Sequence, residues 1–507
     1  MKVFLTHRDR DFDPGAELPP NAEALTQDLG LHILFQAMAA GDRFLLDVAT
    51  PAVLVSLDDI DAIRYRQAVL ADCLDQPAVV RQMLGLAIEA LERERRFWAY
   101  TASYPDSLLR RSVDVMNMYV ELLRRLREIA EQHATGFRSE GFTRLFGELV
   151  RELDDPYLDS VTQHLRRLQF RGGVPMSAEL RPANPETGYV LRRRVSRTTW
   201  RERIGLPEPD SYAWQLPPRD DAGAEALADL RGRGIALAAN ALAQSADHIK
   251  SYFAQLRCEL SFYVACLNLH DALDRKGEPT CMPEPVAGKP TLSARGLYDA
   301  CLSLSIQERV VGSALDAGEK TLLVVTGANR GGKSTFLRSL GVAQLMLQAG
   351  MFVPAESFRA DVRGGVFTHF KREEDAALRS GKLDEELGRM STIVDQVRPD
   401  SLVLLNESFA STNEREGSEI GRQIVGALLE DGIKVGYVTH MFDLASGFHA
   451  ARSEEALFLR AERLPDGQRT FRVVEGEPLP TSHGQDIYRR IFGDAGAGEA
   501  ADVGEVA

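Results

Sequence analysis

The chain has 507 residues, 44% of them hydrophobic and 26% charged, which is the balance of a globular protein of about two to four domains. Its formal net charge is −14, which excludes a generally basic nucleic-acid-binding surface and leaves that role to local patches. The five cysteines are scattered without a CxxC pair, which argues against a zinc or disulfide framework and favours reduced thiols.

The hydropathy of the chain favours a protein without a membrane segment. The first residues, MKVFLTHRDRDFDPG, lack the apolar run of a signal peptide. No other segment is apolar over the roughly 18 residues that a transmembrane helix needs. We therefore expect a cytoplasmic protein that has no membrane partner.

Residues 1–276 have the pattern of a mainly α-helical domain. Apolar residues recur every three or four positions between about Ser107 and His133, which predicts one face of a long helix. A second series, from Ile249 to Leu267, has a near-heptad spacing and predicts a helix that packs along another long helix. We interpret both series as core packing. Because the second runs almost into the following domain, it is also placed to transmit motion.

Within this part, residues 170–221 form an irregular insert rich in Pro, Gly and Arg, with a hairpin predicted around residues 184–188. A basic segment in an acidic protein is the natural candidate for contact with a phosphate backbone. The alternative interpretation is a solvated hairpin, or arginines paired with acidic helices. The candidate nucleic-acid-binding residues are Arg192, Arg193, Arg194, Arg197 and Arg201.

A Gly/Pro-rich linker, residues 277–290, precedes an α/β domain predicted over residues 291–492. In this domain, short apolar runs end in polar residues, as parallel strands do where they deliver chemistry at their carboxyl ends. The last stretch, residues 493–507, combines small residues with acidic ones and predicts a disordered acidic tail.

The most specific motif is the ten-residue run TGANRGGKST, residues 326–335, between a predicted strand and a predicted helix. It has the Gly-x4-Gly-Lys-Ser pattern of a phosphate-binding loop, in which glycines turn backbone amides towards phosphate oxygens at a helix N-terminus. We expect Lys333 to reach the β- and γ-phosphates and Ser334 to bind Mg2+. The candidate nucleotide-binding residues are Gly327, Asn329, Gly331, Gly332, Lys333, Ser334 and Thr335.

Two further strands, at residues 401–407 and 434–440, end in candidate catalytic residues. In enzymes with a phosphate-binding loop, the strand in the position of the first one normally supplies an Asp that binds Mg2+, followed by a Glu that polarises the attacking water. Here Glu407 is present, but Asn406 takes the Asp position. An amide oxygen brings no charge, so we expect slow turnover. His440 ends the second strand and is placed to sense the γ-phosphate.

These motifs resemble the ATPase domain of the MutS mismatch-repair family. The loop TGANRGGKST is similar to that family's TGPNMGGKST, including Asn329. The other segments that resemble family motifs are Gly350–Ala355 (GxFVPA), Val366–His369 (IFTR), Ser401–Glu407 (LVLMDE), Ser411–Gly417 (GTSTYDG) and Val438–His440 (ATH). The first half resembles the family's helical lever region more weakly, through residues 62–69.

The resemblance implies an α/β P-loop ATPase domain with a mostly parallel, ABC-like sheet behind a helical lever domain. It implies ATP and Mg2+ as ligands, Glu407 at the attacking water and His440 as a γ-phosphate switch. It also implies a homodimer in which the partner subunit completes each site. In this chain, the segment that would reach into the partner subunit's site falls around residues 379–386. Ser380 and Lys382 are the candidate residues for this contact in trans, although the family's Ser-Thr-Phe is missing there.

Few residues precede the lever region, so we expect this protein to lack the mismatch-reading domain of longer family members. Our leading hypothesis is therefore an ATP-driven dimer that is coupled to DNA of branched or otherwise non-standard structure, without mismatch recognition itself. The alternative is an ATP-switched scaffold that hydrolyses little or no ATP and serves an unidentified protein partner. An ABC- or SMC-type ATPase that acts on proteins is disfavoured by Asn329 and by residues 350–355.

Overall fold

The computed structural model describes residues 2–97, 104–171, 173–180, 186–192, 215–372, 381–464 and 468–479. They form two compact units: the described residues within 2–4 and 78–260 make up the first, and those within 5–77 and 261–479 make up the second. The compact units divide after residues 4, 77 and 260. The domain boundary predicted at residues 277–290 therefore stays a prediction. The predicted tail, residues 493–507, lies outside the described residues.

The helices of the described residues are numbered here in chain order. They are α1 (Ala22–Leu29), α2 (Leu31–Ala39), α3 (Arg43–Leu54), α4 (Ile60–Asp75), α5 (Pro77–Phe97), α6 (Pro105–His133), α7 (Glu140–Glu152), α8 (Asp155–Leu168), α9 (Asp221–Asp274), α10 (Ala300–Ser305), α11 (Lys333–Gln348), α12 (Lys382–Gln396), α13 (Glu414–Glu430) and α14 (Phe442–Arg452). A short 3-10 turn, Ala134–Gly136, follows α6.

The strands are numbered in the same way. They are β1 (Met176–Leu180), β2 (Glu186–Leu191), β3 (Glu284–Val286), β4 (Leu292–Leu297), β5 (Ser313–Gly318), β6 (Leu322–Thr326), β7 (Ser357–Asp361), β8 (Val366–Phe370), β9 (Leu402–Asn406), β10 (Lys434–Val438), β11 (Ala456–Arg463) and β12 (Arg469–Glu475).

The first unit is mainly helical, as the sequence predicts. Helix α6 begins at Pro105, whose fixed φ suits a first helical turn, and buries an apolar stripe that confirms the helix predicted from Ser107 to His133. Strands β1 and β2 pair antiparallel on either side of the predicted turn, of which residues 184–185 lie outside the described residues. Residues 186–188 lie in β2, whereas the sequence prediction assigns them to the turn.

Helix α9 is longer than its heptad pattern predicts. It spans 54 residues, and its predicted seam is buried at Phe253, Leu256 and Tyr263. Its first part carries Gly223, Gly232 and Gly234, which lower the intrinsic helix preference and hide this part from a sequence pattern. Residues 221–260 belong to the first unit and residues 261–274 to the second.

The second unit contains the α/β region, with two sheets. The larger sheet has six strands in the order β12-β11-β6-β10-β9-β8. Neighbouring strands are parallel from β11 to β8, and β12 is an antiparallel edge. Strands β6, β8 and β10 are buried along their whole length, which suits a parallel sheet covered on both faces.

A second, four-stranded sheet has the order β3-β7-β4-β5 and mixes parallel and antiparallel pairs. The sequence does not predict this sheet. Strand β3 lies inside the stretch 277–290 that composition marks as a linker, and it pairs in parallel with β7. A three-residue strand of this kind depends on a partner about 70 residues away and leaves no local pattern.

The N-terminal helices of the second unit are fixed to the carboxyl end of α11. The Arg66 side chain on α4 is buried. Its Nε donates to the carbonyl oxygen of Thr6 at 2.9 Å, and its Nη1 donates at 3.4 Å to that of Ala349, which directly follows α11. The Gln348 side chain donates to the carbonyl oxygen of Leu57 at 3.1 Å. Gly350 has φ +74, and a Cβ there would lie 2.4 Å from Arg66 Cβ. Residues 5–77 are therefore part of the body that carries the candidate site.

Among the helices that the structure describes, none combines the length and the apolar character needed to cross a bilayer.

Candidate functional site

The loop of residues 326–335 connects the buried strand β6 to α11. Gly332 caps the N-terminus of α11 with φ +93, a left-handed conformation that side chains disfavour. A Cβ at this position would also lie 2.9 Å from the carbonyl oxygen of Phe471. Residue 332 must therefore be glycine for the loop to adopt this turn. At the apex, Asn329 and Arg330 are exposed.

The Lys333 side chain lies inside the loop. The residue is only 4% exposed, and its Nζ donates to the carbonyl oxygens of Gly327 and Ala328 at 2.9 and 3.1 Å. Burial lowers the pKa of Lys333, and the charge of Glu407 opposes that effect. An ammonium held by carbonyl oxygens at a helix N-terminus is an anion-binding arrangement.

Ser334 and Asn406 meet although they are 72 residues apart. The Ser334 hydroxyl donates to Asn406 Oδ1 at 2.9 Å. The sheet order explains this contact, because β10 pairs with both β6 and β9 and aligns their carboxyl ends. Both side chains offer the hard oxygen donors that Mg2+ prefers, but neither carries a charge.

The chemistry of these donors decides how a metal ion could be held. Among the described residues, no group of three or more His, Cys, Asp or Glu side chains could bind a metal ion. The Ser334 and Asn406 oxygens fit Mg2+ only as part of a larger set, to which nucleotide phosphates and water would have to contribute. A neutral amide at residue 406 makes that set weaker than a carboxylate would.

Glu407 and His440 also lie together at this edge of the sheet. His440 Nδ1 is 3.7 Å from Glu407 Oε2. This contact is the largest cause that lowers the pKa of Glu407; burial raises it, and the charges of His440, Lys333 and Lys371 lower it further. The carboxylate is therefore ionised at neutral pH. Glu407 has φ +53, a conformation that is strained for a non-glycine residue.

One residue beside this site has no sequence pattern that marks it. Glu386 on α12 is 4% exposed, and its carboxylate accepts hydrogen bonds from the backbone amide of Phe409 and from the Ser411 hydroxyl. These residues closely follow Glu407. The sequence prediction for residues 379–386 concerns the partner subunit's site and does not single out Glu386. Only the three-dimensional structure brings this side chain to the residues that follow Glu407.

The remaining candidate residues stay predictions. Lys382 is the first residue of α12 and is exposed, and Ser380 lies outside the described residues. In the first unit, Arg192 donates from Nε to Ser177 Oγ at 2.8 Å. The other arginines of the predicted nucleic-acid contact lie outside the described residues: Arg193, Arg194, Arg197 and Arg201.

A helical region is thus followed by an α/β region whose parallel strands bring a glycine-rich loop, an Asn-Glu pair and a histidine to one edge. Two family models match the chain: the MutS2 N-terminal domain over residues 58–276 and MutS domain V over residues 323–491. The chain belongs to the MutS family, which confirms the resemblance seen in its motifs. Neither matched model is described as a mismatch-reading domain.

Curated relatives match parts of the chain. Endonuclease MutS2 of Lacticaseibacillus casei is 29% identical over 257 residues, which cover 49% of this chain and 31% of that protein. DNA mismatch repair protein MutS of Thermotoga maritima is 30% identical over 194 residues, 38% of this chain and 24% of that protein. MutS of Thermus aquaticus is 32% identical over 142 residues, 27% and 18% of the two chains. The chain spans about a third or less of the length of these relatives.

Proposed function

We propose that this chain binds ATP with Mg2+ at residues 326–335, hydrolyses it slowly and couples the ATP state to a homodimer that contacts DNA. The observation that carries the proposal is the convergence of two pairs at the carboxyl edge of β6, β9 and β10. Ser334 meets Asn406 at 2.9 Å, and Glu407 meets His440 at 3.7 Å. Catalytic groups converge at this edge in open α/β sheets.

The binding roles follow from the loop. Lys333 would exchange its two carbonyl acceptors for phosphate oxygens, which are stronger acceptors for an ammonium because they carry charge. Ser334 and Asn406 would hold Mg2+, Ser334 directly through its hydroxyl and Asn406 as acceptor from a bound water. Mg2+ supplies neutralisation of the charge that develops on the phosphoryl group.

The catalytic role falls to Glu407. Its pKa is lowered, so at neutral pH its carboxylate is ionised. It can therefore accept a hydrogen bond from a water molecule, orient it and act as its general base. His440 contacts the same carboxylate and has a side chain that is 48% exposed. It can therefore stay beside Glu407 and still present its ring to the γ-phosphate.

The amide of Asn406, at a position where a carboxylate is usual, favours the second candidate function, an ATP-switched scaffold with little or no hydrolysis. Without a carboxylate at residue 406, the site has less negative charge for Mg2+ and less electrostatic help for phosphoryl transfer. On this alternative, ATP binding alone changes the dimer, and an unidentified protein partner detects that change.

The dimer and the DNA are supported by the family. The MutS and MutS2 relatives are named for DNA mismatch repair and as an endonuclease. We propose that Ser380 and Lys382 reach the partner subunit's nucleotide, and that the arginines from Arg192 to Arg201 contact DNA phosphates. Because neither matched model is a mismatch-reading domain, a branched or otherwise non-standard DNA is the proposed ligand.

The test of hydrolysis is phosphate release by the purified protein with Mg2+ and ATP. Glu407→Gln keeps the size of the side chain and should abolish release while ATP still binds; Lys333→Ala should abolish binding. Asp395→Ala, which removes an exposed carboxylate near the end of α12, is the control. Tight ATP binding without release by the unmodified protein would favour the switch, and no binding at all would refute both functions.

The test of DNA binding is a salt series with and without ATP, using duplex and branched DNA. Replacing Arg192, Arg193 and Arg194 together by Ala should weaken binding. It should also lower the slope of log K against log salt by about 0.9 for each DNA phosphate that the variant no longer neutralises. No binding at low salt, or an unchanged slope in the triple variant, would refute the DNA part while leaving the ATPase part standing.

A further inference from the structure

The five residues from Glu407 to Ser411 are held by side chains from three separate elements. From α12, Glu386 Oε2 accepts the backbone N–H of Phe409 at 2.8 Å, and Oε1 accepts the Ser411 hydroxyl at 2.7 Å. From β10, the Tyr437 hydroxyl donates to the carbonyl oxygen of Ser408 at 2.7 Å. The backbone N–H of Glu407 itself donates to the carbonyl oxygen of Val438 at 2.8 Å.

Strand β8 contributes His369, which is fully buried and fixes Glu386 in turn. Its Nε2 lies 3.0 Å from the carbonyl oxygen of Glu386, which can only accept, so Nε2 carries the proton. Burial, with the nearby charge of Arg389, lowers the pKa of His369 to about 4, so the ring is neutral and Nδ1 is an acceptor. The Ser408 hydroxyl lies 2.7 Å from Nδ1 and 2.8 Å from the carbonyl oxygen of His369, and its single proton serves one of these two acceptors at a time.

This segment needs such support because its backbone is strained. Glu407 has φ +53 and Phe409 has φ +63, and neither is glycine. Residues with such φ values persist only where their surroundings over-determine them. Of the two hydrogen bonds to Glu386, one is made by the second strained residue itself and the other by Ser411, two residues later. Both lie within four residues of the carboxylate that the proposed reaction uses.

We infer that Glu386 is a positioning residue for Glu407: its carboxylate holds the strained segment 407–411 in the conformation that keeps the Glu407 side chain at the nucleotide site. Glu386 follows Lys382 by four residues on α12, so the two lie one helical turn apart. The same helical turn therefore carries the residue proposed to contact the partner's nucleotide and the residue that positions this subunit's own Glu407. A shift of α12 when the partner binds ATP would reach Glu407 through this pair of hydrogen bonds.

The experiment compares Glu386→Ala with Glu386→Gln in the full chain. Alanine removes both acceptors and leaves the Phe409 N–H without its partner in a buried position. Glutamine can keep both bonds, because its oxygen accepts from Phe409 and its NH2 donates to the Ser411 hydroxyl, which accepts as well as donates. Asp395→Ala on the same helix is the matched control.

Three quantities are measured: the dissociation constant of ATP, the rate of phosphate release at saturating ATP, and backbone amide exchange in peptides that cover residues 407–412. We expect Glu386→Ala to lower kcat roughly 10- to 100-fold, to change ATP affinity less than about 2-fold, and to speed exchange in that segment. Glu386→Gln and Asp395→Ala should match the unmodified protein in all three.

The inference rests on the proposed function, and the outcomes separate the two. If the unmodified protein releases phosphate and Glu386→Ala keeps kcat, or Glu386→Gln loses as much as alanine, the positioning role is refuted while hydrolysis stands. If the unmodified protein releases no phosphate, hydrolysis is refuted and amide exchange alone decides the positioning role. Faster exchange in Glu386→Ala but not in Glu386→Gln supports that role, and unchanged exchange in Glu386→Ala refutes it. Should Glu386→Ala fail to fold, Ser411→Ala, which removes one of the two bonds, replaces it under the same criteria.

Discussion

Replacing Asn406 by Asp tests whether residue 406 belongs to a metal site. The side-chain oxygen of residue 406 lies 2.9 Å from Ser334 Oγ. With Mg2+ at about 2.1 Å from Oγ, that oxygen would lie within about 5 Å of the ion. A unit negative charge about 5 Å from a divalent cation contributes about 1.7 kcal/mol even at the dielectric constant of water, which is roughly a 20-fold gain in affinity.

The assay is phosphate release as a function of Mg2+ concentration at fixed ATP. Asn406→Asp should lower the Mg2+ concentration at half-maximal rate by roughly 20-fold and raise the maximal rate, because charge is restored where the phosphoryl group reacts. Asn406→Ala, which removes the oxygen and adds no charge, is the control and should not improve either value. An unchanged Mg2+ dependence in Asn406→Asp would place the metal elsewhere and refute the reasoning.

Two further predictions concern stability. Gly332→Ala should lower the free energy of unfolding by about 1–3 kcal/mol in urea and abolish ATP binding, since φ is +93 and the new Cβ would meet the Phe471 carbonyl oxygen. Gly426→Ala on α13, where nothing lies within 4 Å, should instead raise it by about 0.5–1 kcal/mol, and a loss there would contradict the argument. The pKa of His369 is lowered to about 4, so only the unfolded chain binds its proton between about pH 6.5 and 4. Stability should therefore fall as pH drops through that window, by up to about 3 kcal/mol, and His369→Gln should reduce this slope. An identical slope in His369→Gln would show that other groups carry the dependence.

Much of the candidate site is encoded locally and could be predicted from the sequence. The run from Thr326 to Thr335 specifies a loop because its glycines meet steric demands that other residues cannot, as φ +93 at Gly332 illustrates. The apolar runs that end at Asn406 and His440 predict buried strands whose carboxyl ends deliver polar groups. The stripe of α6 predicts that helix almost to its ends because a periodic pattern is repeated over many turns.

Other features depend on contacts between residues that are far apart in the chain. Strand β3 exists because β7 pairs with it. Residues 5–77 join the α/β body through the Arg66–Ala349 and Gln348–Leu57 hydrogen bonds, which span 283 and 291 residues of the chain. Neither feature has a local pattern. The helical domain predicted over residues 1–276 therefore differs in extent from the compact units of the structure.

The sequence alone determined which chemical groups this protein offers at its candidate site: an ammonium, a hydroxyl, an amide in place of a carboxylate, a glutamate and a histidine. Only the tertiary structure decided how they are held. The sheet order sets Ser334 beside Asn406, and helix α12 places Glu386 under the segment that follows Glu407. The physical reason is that a residue type specifies what bonds are available, whereas a hydrogen bond also needs two groups within about 3 Å, and folding alone supplies that distance.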